Sequence, residues 1–311
     1  MVYNICMANE SIEEKNYIHT IEMRNETEFS DVYEKYKEAI YNHIMHELES
    51  FTFDIDLLVI FKNFGDKENL VNKEMWNGAT TLKENKYTVM LNIYSLRKID
   101  YDGGLDIAIS VRHELCHVYD LYNIEHNKFY KLNPLKVNHE NLDDFIMSIG
   151  CLFWTEFFAY YMTYKQFKKE YRYPTFLQLE RGYKKLQKRC EEIDFMFDSN
   201  DEEVNSVITD YKDDVDYFVY AVAKHLAGIC GGKSYKYDYN EKTKNRASFE
   251  TVEKIRYNVH KKIVPLLTNT YGRGMASKMY KLGKYLLKNI YNRFNLYPIK
   301  QQKYIRFAYY Y

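Results

Sequence analysis

Across positions 31–50, Val32, Tyr36, Ile40, Ile44 and Leu48 recur at every fourth residue among charged neighbours, which places one apolar stripe along a helix. The runs IDLLVIF (55–61) and YTVMLNIY (87–94) are instead short, rich in β-branched and aromatic residues, and bounded by Lys, Asn and Gly. Both read as strands. A weaker strand is expected near 73–82, joined to the second by the turn-like KENK. After Asp102-Gly103-Gly104 the period becomes helical again. Ile107, Val111, Leu115, Val118 and Tyr122 share one face, and Asp102 is placed to cap that helix.

Beyond Asn141 the pattern predicts helix almost throughout, over about 141–169, 175–197, 202–230, 250–269 and 275–294. SYKYDYNEKTKN (234–245) reads as an exposed loop. Strands early and helices late predict an α+β chain. Its α/β part, over 1–125, holds a small sheet and the helix through position 113; its helical part covers 126–311, and the two form one composite domain.

Composition narrows the function classes. Lys+Arg and Asp+Glu both number 44 in 311 residues, so no net field draws the chain to nucleic acid or an anionic membrane. The first twenty residues have neither a basic start nor an apolar run of signal-peptide length, and a cytoplasmic location is expected. Cysteines at 6, 116, 151, 190 and 230 form no CxxC, which argues for reduced, mostly buried thiols. The 33 tyrosines bring amphipathic rings that need hydroxyl partners, and point to no activity by themselves.

The chemistry is concentrated in SVRHELCHVYD (110–120). A four-residue helical step turns about 400°, so His113 and His117 stand one above the other and both imidazoles reach one ion. Glu114 lies about 100° round from His113, badly placed as a third ligand of that pair but well placed to touch a water on the ion. The competing reading is two hydrogen-bonded or solvated histidines on a helix face.

A second stretch, CLFWTEFFAYYM (151–162), bears on that choice. Glu156 is the only charge between Phe145 and Met162, and a carboxylate in an apolar helix is costly unless it is paired or binds metal. Two His and one carboxylate form a standard ligand set for catalytic zinc, which keeps a fourth position open for water.

With these residues the sequence resembles the HExxH zinc metallopeptidases, and within them the gluzincin branch, whose third ligand is a glutamate on a later helix. The likeness covers roughly 50–165. It implies a zincin-like fold, zinc held by His113, His117 and Glu156, Glu114 as general base and proton shuttle, and a peptide or protein substrate. It also implies that the strand at 87–94 holds an extended peptide by edge pairing. A looser similarity is to small intracellular HExxH proteins of bacteria and their mobile elements. The metzincin branch is rejected, because Asp120 and Asn123 stand where it has Gly and His or Asp. Tyr160 occupies the position four beyond the glutamate, where the thermolysin arrangement has an aspartate. Glu140 is a weaker alternative ligand in a loop-like flank.

Three further residues have two readings each. Asp120 shares the histidine face and either accepts a ligand's second ring N–H or is a solvated surface carboxylate. Tyr160 is either a core ring or a donor to the developing oxyanion. His225, within YAVAKHLAGI, is read first as a satisfied core histidine and second as such a donor. His126 falls about 180° from His117 and is left out of the ligand set.

Other signals are weaker. The apolar run 145–162 approaches membrane-spanning length, but a central Glu156 makes insertion expensive, so a buried helix is expected. AGICGGKS (227–234) lacks the first glycine of a phosphate loop and follows a helix. The lysines of GYKKLQKR (182–189) are dispersed among glutamates and read as a solvated face, not a nucleic-acid surface. The expected function is zinc-dependent peptide hydrolysis. The alternatives are a zinc-binding regulatory or interaction protein without turnover, and an interaction protein with a coincidental motif.

Overall fold

In the computed structural model IDLLVIF forms strand β2 (Ile55–Lys62), and its neighbours explain its lack of polar alternation. β2 lies between β1 (His19–Asn25) and β4 (Lys86–Asn92), parallel to both, in a sheet of order β1-β2-β4-β3. Ile55, Leu57, Val59 and Phe61 are buried on one face, and Leu58 and Ile60 on the other. A strand covered on both faces reads as a continuous apolar run. The edge strand β3 (Gly78–Lys83) runs antiparallel to β4.

The structure describes residues 17–64, 78–83, 86–126, 142–167, 176–195, 201–231, 263, 271–272, 274–294, 296–301 and 304–309. The helix expected at 250–269, the loop at 234–245, Glu140 and Cys6 lie almost wholly or wholly outside them. The fold is α+β, with a small mixed four-stranded sheet and a mainly helical remainder. Backbone packing divides it into two units, Met1–Tyr122 and Asn123–Tyr311.

In the first unit, helix α1 (Ser30–Leu48) makes the crossover from β1 to β2 that parallel pairing requires. Its Ile40, Ile44 and Leu48 pack with Leu57, Val59 and Phe61 of the sheet and with Ile107, Val111, Leu115 and Val118 of helix α4 (Leu105–His126). Burying a side chain of this kind contributes about 1.5–3 kcal/mol, so this shared core fixes α4 against one face of the sheet. Tyr122 completes the stripe, stacked on Phe53 at a centroid distance of 3.5 Å.

Two short helices, α2 (Ile93–Arg97) and α3 (Ile99–Asp102), lead from the sheet to α4. β4 stops at Asn92, short of the expected Tyr94, because the Asn92 side chain accepts a hydrogen bond from the Tyr94 amide and starts α2. Asp102 then closes the entry to α4. Its two carboxylate oxygens accept from the Gly104 and Asp106 amides at 2.9 and 3.1 Å. Gly103, at φ 66°, ends α3 in the left-handed region that a side chain would strain.

β4 is hydrogen-bonded on both sides, to β2 and to β3. The expectation that residues 87–94 hold a peptide by edge pairing is therefore overturned: among the described residues, the outer strands of the sheet are β1 and β3. β1 was not anticipated at all.

The second unit is helical, with α5 (Leu142–Gln166), α6 (Phe176–Phe195), α7 (Asp201–Gly231) and α8 (Met275–Phe294). α5 packs against α7 and α8, and α6 against α7. Phe153, Trp154 and Phe157 of α5 are fully buried. α5 is long and apolar enough to cross a membrane, and 72% of its most apolar window is buried inside the protein. At its crossing with α8 the backbones almost touch: a Cβ on Gly150 would stand 2.1 Å from the Met279 carbonyl oxygen, and one on Gly283 2.0 Å from that of Ile146. Strands β5 (Leu296–Gln301) and β6 (Tyr304–Tyr309) pair as an antiparallel hairpin that the sequence pattern did not reveal.

Candidate metal centre

The histidines stand as the helical step requires. The Nε2 atoms of His113 and His117 are 3.1 Å apart, with the rings 89° to one another. For Zn–N bonds of about 2.0–2.1 Å, neighbouring ligand atoms of a tetrahedron lie about 3.3–3.4 Å apart, so these nitrogens are close to a shared coordination edge. Burial holds the His117 imidazole down, to about 4, and so keeps it neutral with a lone pair to offer.

Glu156 lies on α5, half-buried. It supplies the third atom: one ligand atom from each of His113, His117 and Glu156 lies within 4.8 Å of the other two. The donor set is two imidazoles and a carboxylate, which suits zinc.

Glu114 is 4% exposed. Thr80 of β3 faces it, with its Oγ1 2.8 Å from Glu114 Oε2 and 3.1 Å from the Glu114 main-chain oxygen. Burial pushes the Glu114 carboxyl up to about 8, and the Thr80 hydrogen bond opposes that shift. A carboxyl raised in this way can both take and release a proton near neutral pH. Thr80 was missed from the sequence, where it was merely one residue of a weak strand.

α4 is also held from the α1 side. Arg112 Nη1 donates to Glu47 Oε2 at 2.9 Å, both side chains largely buried, so the residue beside His113 is tied to the neighbouring helix. Cys116 is buried, and desolvation pushes its thiol up to about 12, leaving a neutral group poorly suited to bind metal.

Asp120 is fully buried, which overturns the solvated surface alternative for it. Tyr160 is 8% exposed, and its hydroxyl hydrogen-bonds the Tyr220 hydroxyl of α7. The Lys224 ammonium sits 4.8 Å over the Tyr160 ring. His225 is buried within α7. None of Asp120, Tyr160 and His225 belongs to the three-atom ligand group. Tyr220 and Lys224, like Thr80, had no distinguishing sequence pattern.

No family model, curated protein or solved structure matches the chain.

Proposed function

We propose that this chain is a zinc-dependent peptidase of zincin-like fold, with His113, His117 and Glu156 as ligands and Glu114 as general base. The convergence of those three ligand atoms to within 4.8 Å carries the reading. The buried Glu114 on the same helix supports it. So does the mixed sheet, whose antiparallel edge strand reaches the Glu114 carboxyl through Thr80.

A zinc ion held by the two imidazoles and the Glu156 carboxylate would supply Lewis acidity toward a water and a carbonyl oxygen. The chain's own residues supply the rest. The two imidazoles and the Glu156 carboxylate hold the ion, and Glu114 takes the proton of the attacking water and passes it to the leaving amine. Glu114 is suited to this because its low exposure keeps bulk water from competing for the proton. The substrate class is an extended peptide, and β3, the outer strand beside Glu114 among the described residues, is where it would pair.

Elemental analysis of purified protein tests the ligand set. Near one zinc per chain is expected, lost in His113→Ala and strongly weakened in Glu156→Ala. No bound metal in the native chain after zinc is added back would overturn the reading, and undiminished affinity in Glu156→Ala would remove that residue from the set.

A further inference from the structure

We propose that Thr80 is a positioning residue that aims the Glu114 carboxyl at the reacting water; the inference rests on the peptidase reading above. β3 is bonded only to β4 within its sheet, and Thr80 is registered directly opposite Val89. Directly opposed residues share a sheet face. Val89 belongs to the core that packs the sheet against α4, so Thr80 is turned to the helix that carries the base.

The two contacts of its hydroxyl both go to Glu114, one to the side chain at 2.8 Å and one to the main chain at 3.1 Å. Among the described residues this is the hydrogen bond that the Glu114 carboxyl makes. A glutamate has three side-chain torsions, and burial alone leaves the last of them broad. The hydroxyl removes that freedom.

A hydroxyl carries one proton and two acceptor lone pairs. Thr80 therefore donates to Glu114 Oε2 when the carboxyl is ionised. The proton taken from water goes to the other carboxylate oxygen, so Oε2 stays an acceptor and Thr80 keeps donating to it. The heavy atoms stay in place in both states. A base that must accept a proton in one step and deliver it in the next is thus kept at one position throughout. The hydroxyl also hangs from the outer strand of the sheet among the described residues, so a peptide pairing with β3 would bear directly on the strand that aims the base.

The test compares zinc-loaded wild type, Thr80→Val and Thr80→Ser on a mixture of internally quenched fluorescent peptides, well below their unfolding temperatures. Thr80→Val keeps the shape and loses the hydroxyl. Its kcat is expected to fall between about 10- and 100-fold with KM and zinc content nearly unchanged, the scale of a reacting group displaced by about 1 Å. Thr80→Ser is expected to restore most of the rate. A Thr80→Val variant as fast as wild type would overturn the proposal, as would a Thr80→Ser variant as slow as Thr80→Val, which marks a packing role. Crystal structures of the same proteins separate this from the peptidase reading. If wild type cleaves none of the peptides, that reading fails, and the position of the Glu114 carboxyl decides: displaced in Thr80→Val and retained in Thr80→Ser sustains the positioning role, whereas an unmoved carboxyl refutes it.

Discussion

Glu114 differs from its neighbours His113 and His117 in what it touches. Its carboxyl meets Thr80 and is not one of the three ligand atoms. Replacing it by Gln removes the basic oxygen and keeps the size, so Glu114→Gln is expected to retain zinc while hydrolysis falls by about 10²–10⁴-fold, the usual contribution of general base catalysis. Unchanged turnover would exclude this mechanism. His43 of α1 gives a prediction about stability. Burial lowers its pKa below 6.5, against the opposing pull of Glu47 and the Ala108 carbonyl. The folded chain therefore resists a proton that the unfolded chain accepts. Stability from this group is present above the ordinary histidine pKa and is lost as pH falls toward the lowered one. Urea midpoints measured between about pH 7 and about pH 5 are expected to fall less in His43→Gln than in wild type. At this scale the sequence was informative where geometry is local: a step of four along one helix brings the two Nε2 atoms to 3.1 Å. It was silent about Thr80 and Tyr220, whose roles depend on which strand or helix lies opposite.

Elements were legible in proportion to their length and periodicity. α1, α4 and α5 carry stripes long enough to identify, and Asp102 caps α4 through a contact two and four residues away. β1 escaped notice because it is seven residues long and its parallel partner, β2, begins thirty-six residues later, at His19 opposite Ile55. Strand order was equally hidden. Nothing within YTVMLNIY distinguishes a central strand from an edge, and β3 takes the edge because it folds back antiparallel on β4. The α5–α8 crossing yields a test of packing. A methyl at Gly150 would overlap the Met279 carbonyl group, which belongs to backbone and cannot rotate away. Gly150→Ala is expected to destabilise the protein by about 3 kcal/mol or more, toward the severe end of overpacking. A thermal midpoint equal to that of wild type would contradict this crossing.

For the molecule as a whole, 44 basic and 44 acidic side chains leave no net charge at pH 7 with histidine neutral. Colloidal repulsion is then at its weakest, so solubility is expected to pass through a minimum near neutral pH and to rise on either side. Light scattering across a pH series measures this. The α+β layout followed from strands early and helices late. The terminal hairpin β5–β6 departs from that layout, because its run from Leu296 to Tyr309 has no apolar alternation strong enough to mark it. The paired glycines at the helix crossing have one more consequence. Each helix fills the notch left by the other's missing methyl, so α5 can neither slide along α8 nor roll on it without driving a Cα hydrogen into a carbonyl. The joint is keyed like a shaft in its collar. Within the second unit α5 and α8 thus form one stiff piece, and Glu156 lies on it six residues or about 9 Å further along α5 than Gly150.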